Sequence, residues 1–498
     1  MVERGDFFGR VNTALSSFMH SRDHLLFWCF LALFLLAPLP LGSNRLWAWP
    51  FVASLTFVLL GGWFVQILRG DVHVPGRLGG GLMSWNGLLL VSVWLVVQTL
   101  ALPTDWLARF SPATVAAWAD VLNPLPTSLS ISLDPTVTAT HVVRSLAYAA
   151  VFLLFLLLIH SENRVRLFLY TLVIAGVFQA FYGGLAVLGG PEYSLLFMKQ
   201  YYVDVATGTF VNRNHLAGCL EMTIAAGVGL LLAGLKGRRH GSWRLMLSHW
   251  IRLILSEKAA IRLSLIIMAT AMVLTRSRMG NIAFLTSLSV AGMLSLILSR
   301  TATRSSILLF ASVIIIDMVL LGSWFGMDKV VQRIEQTTLA GEQRDDVDVF
   351  AWPMVQDFWL TGSGGGSFAV VFPHYITEHL GEPLFDHAHN DYFEFWAELG
   401  VAGCLPLALV TLASLVMALR CMGLKHHPVL KGAGFTSVMG IVSVLIHSFV
   451  DFNLQIPANA IYFVSLLALP WACWSLAQKQ HQQRVRHQMS AHPVGHDA

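Results

Sequence analysis

Charge is what this chain has least of. Only 12% of its 498 residues are Asp, Glu, Lys or Arg, about half of what a soluble domain carries. With 55% hydrophobic residues, that scarcity excludes an ordinary water-soluble domain. The net charge of +4 is too small for a nucleic-acid binder. Cysteine is scarce too. Cys29, Cys219, Cys404, Cys421 and Cys473 all fall in or beside apolar stretches, and none forms a CxxC pair. They read as small buried hydrophobes and not as disulfides or metal ligands. A small-residue cleavage site is missing after the first apolar block near Leu25, so no cleavable leader is expected. Gly362-Ser363-Gly364-Gly365-Gly366-Ser367 has no GK[ST] behind it, so a tight turn back to the membrane surface is the expected role, not a nucleotide-phosphate loop.

What is abundant is continuous apolar sequence. Blocks at about 25–42, 47–68, 83–101, 141–160, 165–189, 211–235, 262–277, 280–299, 305–325, 392–419, 432–452 and 456–475 match the ~20 residues a helix needs to cross a bilayer. Runs without alternation exclude a β-barrel. The expectation is an all-α polytopic membrane protein of about 12 transmembrane helices. Its parts are a polar arm 1–24, helices over 25–325, a large polar loop 326–391, further helices over 392–475, and a His- and Gln-rich tail 476–498, expected to be disordered.

Lys and Arg set the orientation. With both termini cytoplasmic, cytoplasmic segments collect about 22 of the 32 basic residues, including the cluster at 236–262. The opposite arrangement would strand that cluster outside. Segments 102–140 and 326–391 then lie on the far side, together with the helix start at Asn212, the turn at Arg276–Arg278, the helix start at Asp391, and Asp451.

On that face the densest polar stretch is Asp386–Gly403, DHAHNDYFEFWAELGVAG. Ionisable groups entering a membrane helix are costly and mark sites. His387 and His389 form an HxH pair open to three readings: metal ligand, structural imidazole, or a base that accepts or orients a proton. Glu394 and Glu398 share a helix face and either orient a neighbour or line a wet cavity. His447 and Asp451, also four apart, could join the same cavity. Trp352, Phe358, Trp359, Phe368, Phe372 and Tyr375 suggest an aromatic face. Arg213, Arg276 and Arg278 each could snorkel to headgroups. Three on one face point instead to a phosphate or diphosphate ligand.

These pieces resemble a known family. His389-Asn390, nine residues, then Gly400-Val-Ala-Gly403 resembles the signature of the O-antigen ligase and polymerase (Wzy_C-type) superfamily. Arg344…Trp352…Asp357…Gly362–Phe368 is similar to the segment before that signature. Phe210…Asn212-Arg213-Asn214 and Thr275-Arg276-Ser277-Arg278 are similar to its two arginine motifs. The resemblance implies an inverting GT-C-like glycosyltransferase of the bacterial inner membrane, with no metal and no cofactor, acting at the periplasmic face. The donor would be a glycan on undecaprenyl diphosphate. The acceptor would be lipid A core, another lipid-linked glycan, or a protein hydroxyl. By resemblance Arg213 and Arg278, with Arg276, hold the diphosphate and His389 activates or orients the acceptor hydroxyl. Asn212, Asn214, His387, Asn390, Glu394, Glu398, Arg344 and Asp451 would support them. The competing class is a lipid-linked glycan transporter or flippase, which calls for internal repeats and charges deep within several spans. No repeat is evident.

Overall fold

The computed structural model describes residues 23–72, 78–189, 193–195, 197–199, 201–234, 257–299, 308, 311, 312, 315, 347–376 and 385–491. The chain is all-α. In order it forms α1 (His24–Leu36), α2 (Ala48–Leu68) and α3 (Gly79–Thr99). A compact link follows with β1 (Leu102–Pro103), α4 (Thr104–Phe110), α5 (Pro112–Val121) and β2 (Ser128–Leu129). Next come α6 (Pro135–Leu158), α7 (Glu162–Leu188), β3 (Tyr193–Ser194) and β4 (Phe197–Met198), then α8 (Arg213–Ala233), α9 (Glu257–Leu274) and α10 (Arg278–Ser299). Residues 347–357 are helical. The chain continues with α11 (Phe368–Val371), α12 (Asp391–Met422), α13 (Pro428–His447) and α14 (Pro457–Ala491). Strand pairing among the described residues is limited to two antiparallel pairs, with Leu102 opposite Leu129 and Tyr193 opposite Met198.

Among the described residues nine helices are long and apolar enough to cross a membrane, so the protein is multi-pass and membrane-embedded. Two more of the expected blocks are helical but shorter or more charged. α1 has 13 residues, ~20 Å at 1.5 Å per residue, against a hydrocarbon core of ~30 Å. It was expected to run to 42. It stops at Leu36 because Pro38 and Pro40 follow within two turns, and proline cannot continue the amide ladder. α9 carries Glu257, Lys258 and Arg262 in its first turns. The block at 305–325 lies almost wholly outside the described residues.

The 102–140 link folds into two short helices and a strand pair before α6 begins at Pro135. Two expectations differ from the structure. The tail expected to be disordered is helical through Ala491, continuous with α14. The aromatics of 352–375 do not form one surface. Phe358, Phe368 and Phe372 are buried with Met354 and Ala397 in a small core, while Trp352 and Trp359 remain exposed.

α8 is the central helix: 89% of its apolar window is buried, against 28% for α2 and for α12. Glycine permits this centrality. A methyl on Gly229 would strike the carbonyl of Gly432 in α13, and one on Gly227 would meet Leu265 of α9 at 2.8 Å. Small residues let helices approach closely where lipid removes the hydrophobic driving force.

At one end of the bundle, Arg164 donates to both carboxylate oxygens of Asp23 at 2.7 Å and lies 4.5 Å over the Phe27 ring. His160 adds a 3.1 Å contact to the same carboxylate. Burial raises the Asp23 carboxyl, but His160 and Arg164 outweigh it and hold the group well below the usual carboxylate range. This cluster ties the start of α1 to the α6–α7 turn. The residues singled out from the sequence lie at the other end.

Candidate functional site

The site end is organised by a break in α12. Gly400 has φ 61° and ψ −176° inside the helix, a conformation essentially reserved for glycine. A break leaves carbonyls without their i+4 amides. Here Ser363 N donates to Ala397 O at 2.9 Å and Gly364 N to Glu398 O at 3.0 Å. From α3, Gln98 Nε2 donates to Glu398 O and Trp94 Nε1 to Leu399 O, both at 2.8 Å. In return Val401 N donates to Trp359 O at 2.8 Å and Ala402 N to Leu360 O at 3.3 Å. Segment 359–364 is therefore threaded into the helix break.

This explains the glycine run. Gly362, Gly364 and Gly366 all have positive φ, and a methyl on Gly362 would run into the Glu398 carbonyl. The amides of the run are consumed within the protein. Gly365 N bonds Gln98 Oε1 at 3.2 Å, and the Glu398 carboxylate accepts from Gly366 and, at 3.1 Å, from Phe368. A phosphate would find no free amide there, so the tight-turn reading holds and Glu398 serves as the anchor of that turn.

Above the break, Asn390 caps α12, its side chain accepting from Tyr392 N and Phe393 N, as N-cap residues do. His389 just before it sits at φ 54°, a strained position for a non-glycine residue. Glu394 clamps the preceding loop. It meets His387 Nδ1 at 2.7 Å and accepts from Ala388 N at 2.9 Å. Burial lowers the affinity of His387 for its proton, but Glu394 opposite it more than reverses this, and the imidazole is pushed up to about 9.

The α13–α14 turn supplies the other wall. Asp391 accepts from Ser448 Oγ at 2.7 Å and from Leu454 N at 3.1 Å, and its own amide donates to Ser448 O at 2.9 Å. The turn is thus locked to the start of α12. It presents Asp451 and Phe452. The Phe452 ring carries three imidazoles: His387 stacked at 4.2 Å, His215 edge-on at 4.7 Å and His389 edge-on at 4.8 Å. Asp451 is fully buried. Its Oδ1 lies 3.7 Å from His215 Nε2 and 4.0 Å from His389 Nδ1, electrostatic contacts longer than hydrogen bonds. Burial raises this carboxyl, yet the surrounding histidines, His215 first, hold it below the usual range. Deeper in, Glu221 of α8 pairs with His447 of α13 at 2.7 Å and accepts from Ser443 Oγ at 2.8 Å.

The arginines frame the same end. Arg213 is the first residue of α8, half-buried, with its guanidinium 5.8 Å over the Tyr202 ring. Asn212 caps that helix by accepting from Asn214 N at 2.9 Å. Arg276 sits at φ 52° in the α9–α10 turn, and Arg278 opens α10. Ala206 N bonds Leu274 O at 3.0 Å, and Gly280 packs on Ala217, so both arginine-bearing ends adjoin the first turns of α8. Arg344 lies outside the described residues.

Of the singled-out residues, the structure brings His387, His389, Asp451, Asn390 and Glu394 into one cluster and turns Glu398 away toward the glycine run. Sequence reasoning passed over two members. His215 follows the asparagine–arginine run directly, and that adjacency was its signal. Phe452 had none, since an apolar residue at a helix junction looks like packing. Chemically, an imidazole whose Nδ1 faces a buried carboxylate can use Nε2 to take a proton. Among the described residues no group of three or more His, Cys, Asp or Glu is arranged to hold a metal ion.

A comparison with family models matches residues 263–408 to Wzy_C, described as O-Antigen ligase. The matched stretch runs from α9 through the glycine run and the DHAHND stretch to just past the Gly400 break. No curated protein sequence matches the chain. The family match supports glycosyl transfer in lipopolysaccharide or polysaccharide biosynthesis by a membrane-embedded protein.

Proposed function

We propose that this chain, which carries the O-antigen ligase domain over residues 263–408, moves a glycan from undecaprenyl diphosphate to an acceptor hydroxyl at the periplasmic face of the bacterial inner membrane. The observation that carries the reading is the contact of His389 with the buried Asp451, at the end of the bundle where Arg213 and Arg278 begin their helices. The distribution of basic residues supports the periplasmic assignment.

In this mechanism His389 Nε2 accepts the proton of the acceptor hydroxyl as that oxygen attacks the anomeric carbon. The bond from the anomeric carbon to the diphosphate oxygen breaks, and its electron pair leaves with the diphosphate. Attack from the face opposite the leaving group inverts the centre. Arg213 and Arg278, joined by Arg276, offset the charge that develops on the leaving group; one such preorganised donor is commonly worth ~100- to 1,000-fold in rate. Asp451 steadies the imidazolium formed at His389, and His215 and Phe452 hold the ring in place. Among the described residues the most deeply placed charges, Arg144, Glu221 and Glu398, all lie within ~16 Å of this one end. No chain of charges runs through the described helices, which favours surface chemistry over transport.

The test is genetic and biochemical. His389→Ala and Arg213→Ala should each abolish transfer while the protein still inserts; unchanged surface glycan in either strain refutes the assignment. In a deletion strain, loss of all capped lipopolysaccharide indicates a ligase, single-repeat capping an O-antigen polymerase, and loss of secreted polysaccharide alone an exopolysaccharide polymerase.

A further inference from the structure

Arg144 is a cation inside a membrane helix, ~14 Å along α6 from Pro135, and the sequence motifs do not include it. Its guanidinium lies 4.8 Å over the ring of Trp49, at the start of α2. Its Nε is buried and has no hydrogen-bond partner, and the same is true of Trp49 Nε1. Both side chains line one pocket with Val52, Tyr148, Pro457 and Ile461. Among the described residues no carboxylate pairs with Arg144. Glu398, its acidic neighbour at longer range, is occupied by the amides of Gly366 and Phe368. The lining holds two hydroxyls: that of Thr56 donates to Val52 O at 2.9 Å, and that of Tyr148, the nearest polar neighbour of Arg144, makes no hydrogen bond to Arg144 or Trp49.

Two buried donors and one positive charge without a protein acceptor call for an anion from outside the chain. An isolated charge in low-dielectric surroundings is costly. The first turn of α14, which Pro457 opens, adds the positive end of a helix dipole. The cavity is narrow, about 10 Å³, room for one water-sized oxygen and not for a sugar ring. A guanidinium fork matches phosphate oxygens, and the indole N–H supplies a further donor. The opposite face of α14's first turn holds Asn459, which donates to His215 O at 3.0 Å. The pocket and the histidine cluster thus flank one helix turn.

We propose that this pocket binds a phosphate oxygen of a lipid, held by Arg144 and Trp49. The phosphate belongs either to a lipid-linked diphosphate donor, which rests on the transfer reading above, or to an anionic phospholipid of the bilayer, which does not.

The experiment measures binding to the purified full-length protein in detergent by native mass spectrometry. The probes are farnesyl diphosphate and phosphatidylglycerol. Arg144→Gln should weaken one or both by about tenfold or more, the size expected for a charge-assisted contact. Arg144→Lys should retain part of the affinity, and Trp49→Phe, which keeps the ring and loses only the N–H, should weaken the same probe by about threefold. Thermal melting checks that each variant is folded. Loss confined to farnesyl diphosphate assigns the pocket to the donor; loss for phosphatidylglycerol, alone or with it, assigns it to headgroup phosphate. Binding of both probes within about twofold of wild type in Arg144→Lys and Trp49→Phe, and in Arg144→Gln wherever that variant folds, overturns the proposal and leaves a water-filled pocket. No catalysis is measured, so failure of the His389 assignment would appear in the glycan assay and not here.

Discussion

The imidazole of His387 lies flat on the phenyl ring of Phe452, with centroids 4.2 Å apart and planes 18° from parallel. The same ring seats His215 and His389 edge-on. Three imidazoles therefore share one apolar spacer that fixes their mutual angles. Phe452→Leu keeps an apolar side chain but loses that flat surface. Glycan transfer by purified protein is expected to fall about 10- to 100-fold, because a loosened catalytic group loses alignment. The melting temperature should move little, aromatic pairs contributing only ~0.5–1.5 kcal/mol each. Wild-type transfer in the variant would show that the ring is mere packing.

His387 and Glu394 predict a pH dependence. The folded imidazole is pushed up to about 9, above its ordinary value of ~6.5. A raised value favours the protonated folded form. Its contribution to stability is fully present below ~6.5 and is lost as pH rises through about 9. Thermal unfolding followed between about pH 7 and 10 should show this loss in wild type and much less of it in Glu394→Gln. Parallel curves for the two proteins would rule the pair out as its source.

Gly400→Ala addresses the helix break. The backbone angles at Gly400 suit only glycine, and the added methyl would meet the Leu360 carbonyl. Such backbone strain alone is ~1–3 kcal/mol and the clash adds to it, so the variant should fail to accumulate or should melt well below wild type. Gly423, at the end of α12 with φ −77°, is the control and should accept Ala. Normal accumulation of Gly400→Ala would mean that the break is dispensable.

Glu221 and His447 are both buried and 2.7 Å apart. Glu221→Leu strands His447 without its counter-charge, a loss of ~3–5 kcal/mol for buried pairs. The double variant Glu221→Leu/His447→Leu should regain much of it, because replacing a whole buried pair by apolar side chains is often near neutral. Melting temperatures of the two single variants and the double variant form the cycle. Strict additivity would indicate that the two residues act independently.

Which parts of this protein could be read without its structure follows from how each is encoded. Every spanning helix must satisfy its own backbone and face lipid or other helices, so hydropathy announces it locally. The all-α multi-pass class and eleven helical blocks were legible for that reason, as was the gathering of Asn212, Arg276, Asp391 and Asp451 at one end. α1 fell short of its apolar block because prolines ended it, and the tail proved helical because hydropathy does not report on helices outside the membrane. The Gly400 break was hidden in an apolar run, because the groups that complete it, Trp94, Gln98 and residues 359–364, come from distant parts of the chain. Histidines near a helix start were visible as candidates, but their assembly on Phe452 and the solitary setting of Arg144 depend on contacts between α2, α6, α8, α13 and α14. Local sequence determined which segments enter the membrane and at which end chemistry collects. Only tertiary packing decided which donors and charges meet, because those partners lie from about sixty to about three hundred residues apart and no periodicity links them.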